Sequence, residues 1–355
     1  MTLNQKLLWR TMQEVLQLPT APLHEDHVAE YVRQFALSHG LVVHADRFGN
    51  LLVRNRARGR VRLAVTAHMD HPGVVVESIR GRDAVVRVRG GLCGGEVAQL
   101  QRARICFFPA AGGVVHGRMV RVGDVAKKQY HARLAHAVPA GTFGMLDIKP
   151  VRRVGDQLRA RAIDNIANCA VVLDWLRAHA RARTCVLGVF TRAEEIGFVG
   201  AAALVRSTRL PRGVPIVVLE ASSAPGGKVA IGGGPVLRVG DKFSSFDPRM
   251  DLWLRAAADG LAAGPGGFAY QRALMAGGTT EASLYRLEGY LVGSIILPLG
   301  NYHNRGRSRP APEIISWRDT VGLRRWLDVL VTAPSVERAV QAQTRTLWQR
   351  IRAAH

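Results

Sequence analysis

Leu63-Ala64-Val65-Thr66-Ala67-His68-Met69-Asp70 begins as a short apolar run and ends on an imidazole and a carboxylate two residues apart. The same pattern recurs along the chain: Cys185 to Phe190 precede Glu194-Glu195, Ile216-Val217-Val218-Leu219 precede Glu220, and Leu291 to Leu297 precede His303. Short runs without apolar–polar alternation read as strands buried on both faces, the parallel strands of an α/β sheet. In such sheets ligands gather in the crevice outside the carboxyl ends of the strands, so donors remote in sequence are expected to meet there. Asp164 is positioned differently. With Asn165 it precedes Ile166 to Ala178, where apolar residues recur at helical spacing, which sets a carboxylate at the positive end of a helix.

Outward from these stretches, helices are expected over Leu3 to Gln17 and His27 to Ser38, broken by Pro19 and Pro22, followed by a hairpin turning at Phe48-Gly49-Asn50. From about Pro72 to Leu158 the texture changes to short alternating runs (Val74-Val75-Val76, Ala84 to Val88, Ala103 to Phe108, Val114 to Met119) with hardly a helical period. A small barrel or sandwich inserted into the α/β domain accounts for it. Helix and strand then alternate again, with helices at 165–181, 198–207 and 249–263, and Trp317 to Ala333 closes the fold. The tail beyond Val336 reads as a basic amphipathic helix packed on the body. The expected architecture is therefore a mixed, mostly parallel sheet sandwiched by helices, formed by 1–71 and 159–355, with a β-barrel formed by 72–158.

At 355 residues and 48% hydrophobic, the chain can bury a large core. Cys93, Cys106, Cys169 and Cys185 show no CxxC pairing and read as buried thiols of a reducing compartment. With no signal-like N-terminus and no apolar stretch of about 18 residues, the expectation is a cytoplasmic protein with no membrane partner. The net charge of +22 raises the question of nucleic acid. Lys occurs only six times, however, and the remaining 43 basic residues are arginines scattered along the chain rather than gathered in a stripe. Compositional drift over solvated faces explains that pattern better than a phosphate-binding surface.

The donors suit a metal. Asp70 shares a face with His68 in an extended segment, so its carboxylate is expected to take the second ring N–H and fix the imidazole. The adjacent acids Glu194-Glu195, flanked by Val186 to Phe190 and Ile196-Gly197, would repel each other at a buried strand end unless a cation were near.

Jointly, Ala67-His68-Met69-Asp70, Arg161-Ala162-Ile163-Asp164-Asn165, Phe190 to Gly197, Gly277-Gly278-Thr279-Thr280 and Tyr302-His303 resemble, in order and spacing, the signatures of the family-42 metallo-aminopeptidases of the TET and glutamyl types. Gly90-Gly91 and Val122-Gly123-Asp124 of the insert also resemble family positions. The resemblance implies a zinc-peptidase-like fold and two divalent ions, zinc or possibly cobalt or manganese. Asp164 would bridge them, His68 and Glu220 would hold one, and Glu195 and His303 the other. It implies Glu194 as general base with Asp70 behind His68, short peptides as substrates, and the insert as a dimerisation domain of a homo-oligomer, up to a twelve-subunit shell. Glu220 and Glu281 stand where the family commonly has Asp, and Ile166 where it has Arg. A deacylase or carboxypeptidase on the same fold is the alternative chemistry, and a basic RNA- or protein-binding module the non-enzymatic one.

Overall fold

Strands this apolar need partners on both edges and cover on both faces. The computed structural model, which describes residues 1–207, 209–223 and 229–353, provides both. In chain order the strands are β1 (Val42–Ala45), β2 (Leu51–Arg54), β3 (Leu63–His68), β4 (Gly73–Arg80), β5 (Asp83–Arg89), β6 (Arg104–Phe108), β7 (Val115–Val122), β8 (Gln129–Leu134), β9 (Phe143–Leu146), β10 (Val151–Val154), β11 (Gln157–Ala160), β12 (Val186–Thr191), β13 (Ile216–Ser223), β14 (Val236–Gly240), β15 (Gln271–Leu274), β16 (Val292–Leu299) and β17 (Glu313–Ser316). The helices are α1 (Leu3–Val15), α2 (Asp26–Ser38), α3 (Val97–Leu100), α4 (Ile166–Ala178), α5 (Val199–Arg206), α6 (Pro248–Ala263), α7 (Glu281–Leu287), α8 (Trp317–Thr332) and α9 (Val336–Ala353).

An eight-stranded sheet runs β1-β2-β12-β3-β13-β16-β14-β15. Its central strands β12, β3, β13 and β16 are parallel neighbours, and all their residues are buried except the last two of β13. Successive side chains alternate between two cores. Leu63, Val65, Val217 and Leu219 pack under α1, α2, α4, α6 and α8, while Ala64, Ile216 and Val218 pack under α5 and α7. Helix α4 is buried from Ile166 through Leu176 and crosses β12 so closely that a Cβ on Gly188 would lie 2.7 Å from Leu176 Cδ1. The mostly parallel, helix-sandwiched sheet is the fold the apolar runs predict.

β4-β5-β8-β7-β6-β9 close a separate antiparallel barrel around Val74, Val86, Ile105, Phe107 and Met119. The insert is not purely β: a short 3-10 segment, Leu92–Gly95, and α3 lie between β5 and β6. β10 and β11, which the texture groups with the insert, pair instead with β17 in a three-stranded sheet. β14, β15 and α7 have no counterpart in the sequence reading. They are short, and β15 alternates half-buried with exposed as an edge strand does. The tail also differs from expectation. In α9 only Val336 and Ala339 are buried, whereas Leu347 and Trp348 are exposed. No described helix is long and apolar enough to cross a membrane.

Candidate metal centre

The four parallel strands bring their carboxyl ends to one crevice. His68 is the last residue of β3, and Glu220 lies in β13 on the same side of the sheet, since Ala64, Thr66 and His68 alternate in phase with Ile216, Val218 and Glu220. β12 ends at Thr191 and turns through Glu194–Ile196, while β16 leads into a turn at Tyr302–Asn304 that carries His303. Asp164 precedes α4, with Asn165 at the cap. Two donor groups result, His68 with Glu194 and Glu220, and Asp164 with Glu195 and His303, each offering one atom per residue within 4.8 Å of the others. Asp164 also connects them: its Oδ1 is 3.5 Å from His68 Nε2 and its Oδ2 3.5 Å from His303 Nε2. Glu220 lies 3.7 Å and Glu194 3.8 Å from His68 Nε2, and Glu195 lies 3.0 Å from His303 Nε2.

Both rings are tied by Nδ1, so that Nε2 faces the carboxylates. His303 Nδ1 is 3.1 Å from the Gly91 carbonyl, and His68 Nδ1 is 3.1 Å from the main-chain carbonyl of Asp70. β3 ends at His68, so Asp70 lies just past the strand, and both its main-chain carbonyl and its carboxylate face the ring on the Nδ1 side. The Asp70 carboxylate stands 3.5 Å from His68 Nδ1 and also accepts the amides of Glu194 at 2.9 Å and Glu195 at 3.0 Å. Gly91 explains why a barrel residue belongs to this site. A Cβ there would sit 2.8 Å from His303 Nδ1.

Carboxylates clamp both ligand-bearing turns, where non-glycine residues adopt left-handed backbone at Ala193, Asn301, His303 and Asn304. On one side Glu25 accepts Ala193 N at 2.9 Å and Arg192 Nε at 2.6 Å. On the other, Glu313 accepts Ile163 N at 2.7 Å and Asp164 N at 3.1 Å on one oxygen, and His303 N at 2.8 Å on the other. Glu313 is fully buried, and burial with the nearby Asp164 charge pushes its carboxyl up to about 8. His71 adds a bond from its ring to the Asp164 carbonyl at 2.5 Å.

The charges are unbalanced without a cation. Burial pulls the His68 imidazole down, but Glu194, Glu220, Asp164 and Asp70 together hold it well above the ordinary histidine range. His303 is likewise raised against burial, by Glu195 and Asp164. Burial lifts the Glu194 and Glu195 carboxyls, and lifts Glu220 to about 7. Asp164, although buried, is held below the usual carboxylate range by His303 and His68. Asp164 Oδ1 and Glu220 Oε1 are buried without a hydrogen-bond partner among the described residues, and Glu195 Oε1 has only the His303 ring. Buried, unpartnered carboxylate oxygens beside oriented imidazole nitrogens form an oxygen–nitrogen donor set that fits divalent cations.

Beside the donors lies a cavity of about 260 Å³, lined by Asp164, Glu194, Glu220, Ser222, Arg238, Met275, Thr279, Tyr302 and His303 among others. Arg238, Glu313 and His71 are the residues sequence reasoning missed. Nothing local distinguishes Arg238 from the other arginines, and Glu313 lies ten residues beyond His303 with no apolar run directly before it.

Comparison with known proteins agrees with this geometry. The sequence profile of the M42 glutamyl aminopeptidases matches residues 120–307, more than half of the chain. A protein of Acetivibrio thermocellus named "Putative aminopeptidase" is 24% identical over 293 residues, 74% of this chain and 81% of its own. A TET aminopeptidase of a marine-sediment Thaumarchaeota archaeon superposes with a TM-score of 0.80 at 18% identity, over 94% of this chain and 99% of its own. The TET1 peptidase of Pyrococcus horikoshii does so with a TM-score of 0.77 at 17% identity, over 91% and 99%. Profile, fold and the convergence of donors at the strand ends agree: the chain belongs to the M42 glutamyl aminopeptidase family and is a metal-dependent aminopeptidase.

Proposed function

We propose that this aminopeptidase holds two divalent cations, zinc or in its place cobalt or manganese, on His68, Asp164, Glu195, Glu220 and His303, with Glu194 as general base. The observation that carries the reading is the Asp164 carboxylate, whose two oxygens face the two imidazole Nε2 atoms at 3.5 Å each, so that one side chain serves both donor groups. When bound, two cations so held supply a water of lowered pKa and positive charge for the oxyanion. The protein's own groups do the remainder. Glu194, at the cavity wall, takes the proton of the attacking water and returns it to the leaving amine. Asp70 fixes Glu194 and Glu195 through their amides, and Glu313 fixes Asp164 and His303 through theirs.

Arg238 gives the cavity a positive wall. Its Nε and Nη2 donate to the carbonyls of Gly240, Met275 and Gly278 and its Nη1 to the Ser222 hydroxyl; among the described residues it has no ion-pair partner. A cation so placed favours peptides whose first side chain is acidic. We extend to this chain the self-assembly described for the TET1 peptidase of Pyrococcus horikoshii, a tetrahedron or a large octahedral shell, with the barrel within 72–158 as the contact between copies.

Aminoacyl chromogenic substrates test the proposal. Zinc-, cobalt- or manganese-loaded protein is expected to hydrolyse glutamyl and aspartyl substrates ahead of leucyl and lysyl ones. Chelation should abolish turnover, and Arg238→Met should lower the preference for acidic residues on the order of 10²-fold. Absence of hydrolysis of every aminoacyl substrate with all three metals would overturn the mechanism. A preference for lysyl substrates would overturn the role of Arg238.

A further inference from the structure

Away from the crevice, the outer face of the barrel carries a second group of donors that the peptidase chemistry does not use. Cys106 and His116 are direct cross-strand partners on β6 and β7, so their side chains share a face. Ile105 and Phe107 fill the barrel core, which turns Cys106 outward. Met145 pairs with Cys106 from β9 on the other side, and Asp147, two residues on, returns to the same face. Cys106 Sγ lies 3.6 Å from His116 Nδ1, and that nitrogen lies 3.4 Å from Asp147 Oδ2.

We propose that Cys106, His116 and Asp147 form a third metal site, for a borderline-soft divalent ion such as zinc. Zinc at about 2.3 Å from sulfur and about 2.0–2.1 Å from nitrogen or oxygen, with tetrahedral angles, requires an S···N edge of about 3.6 Å and an N···O edge of about 3.3–3.4 Å. The two edges here match. A cysteine–histidine–aspartate relay for nucleophilic catalysis does not, because sulfur and carboxylate approach the same ring nitrogen instead of opposite ones. Arg104 Nη2 is 2.8 Å from Asp147 Oδ2, and a carboxylate oxygen has a second lone pair to offer. Cys106 is buried while the His116 side chain is 60% exposed, so the fourth position opens to water on the His116 side. On binding, the Cys106 thiol releases its proton to solvent as the sulfur–metal bond forms. The ion would join β6, β7 and the segment leaving β9.

The catalytic donors are nitrogen and oxygen only, so sulfur ligation separates the two sites. In the full chain, stripped of metal and titrated with cobalt(II), a thiolate-to-cobalt charge-transfer absorption is expected. It should vanish in Cys106→Ser and persist in His68→Ala and in Cys169→Ser, whose thiol lies beside the His68 carbonyl. Peptide hydrolysis by Cys106→Ser should be unchanged. His116→Ala, at an exposed position, should weaken the cobalt dependence of the absorption on the order of 10²-fold or more, since loss of even a supporting partner costs about 10–100-fold. No charge-transfer absorption at saturating cobalt, or one that survives Cys106→Ser, would overturn the site. Should Cys106→Ser not fold, an unaltered titration of His116→Ala would do the same.

Discussion

Glu194 and Glu195 are adjacent in sequence yet differ in surroundings. Glu195 lies 3.0 Å from His303 Nε2, whereas Glu194 stands 3.8 Å from His68 Nε2 and lines the cavity. Gln at 194 keeps the size and loses the basicity, so Glu194→Gln is expected to retain bound metal while kcat falls on the order of 10²–10⁴-fold. Elemental analysis beside steady-state kinetics decides it, and loss of metal together with activity would make Glu194 a ligand. Glu281 is buried with Oε1 unpartnered among the described residues, and burial lifts its carboxyl to about 8. Its folded pKa exceeds the unfolded value of about 4.3, so stability is fully present below that value. It declines by up to about 1.4 kcal/mol per pH unit as pH rises toward 8. Glu281→Gln lacks this term. The gain in urea midpoint of the variant over the parent should therefore grow from pH 5 to pH 8, and an equal gain at both would count against it. At this scale the sequence exposes which side chains can ligate, because carboxylates and imidazoles next to apolar runs are uncommon. It does not expose Arg238 or Glu313, whose importance comes only from what lies across from them.

The ligand-bearing turns are elements under local strain, held by buried acceptors. Glu313 takes amides from the Asp164 segment on one oxygen and from His303 on the other. In Glu313→Gln one of these positions becomes an NH2 facing an N–H, so the two segments should separate. Metal affinity is expected to fall about 10–100-fold, read by competition with a chelating dye, with the fold retained by circular dichroism. Unaltered affinity would show that the turns hold themselves. The strands leading into these turns are legible because continuous apolar runs have few alternatives, and α4 because its period is helical. β14, β15 and α7 are not, being short and partly polar, with contacts made across the sheet rather than along the chain. β10 and β11 show the same limit: their texture matches the barrel, and only pairing with β17 assigns them elsewhere.

For the molecule as a whole, the proposed assembly must bring together surfaces of a chain carrying +22 charges. Salt at 0.1 M screens like-charge repulsion between exposed groups more than about 10 Å apart. Light scattering should therefore give a multiple of the 38.7 kDa chain mass whose share rises between low and moderate salt. A monomer at micromolar concentration under both conditions would overturn the assembly. The sequence by itself determined the layered α/β architecture, the presence of an inserted β unit and the identity of the candidate donors, because periodicity and residue chemistry are local properties. Only the tertiary structure decided that Asp164 faces both imidazoles, that Asp70 serves the amides of Glu194 and Glu195 as well as the ring of His68, and that Gly91 of the barrel orients His303. Those depend on distances between segments up to some two hundred residues apart, which strand order and packing set and no single stretch of chain encodes.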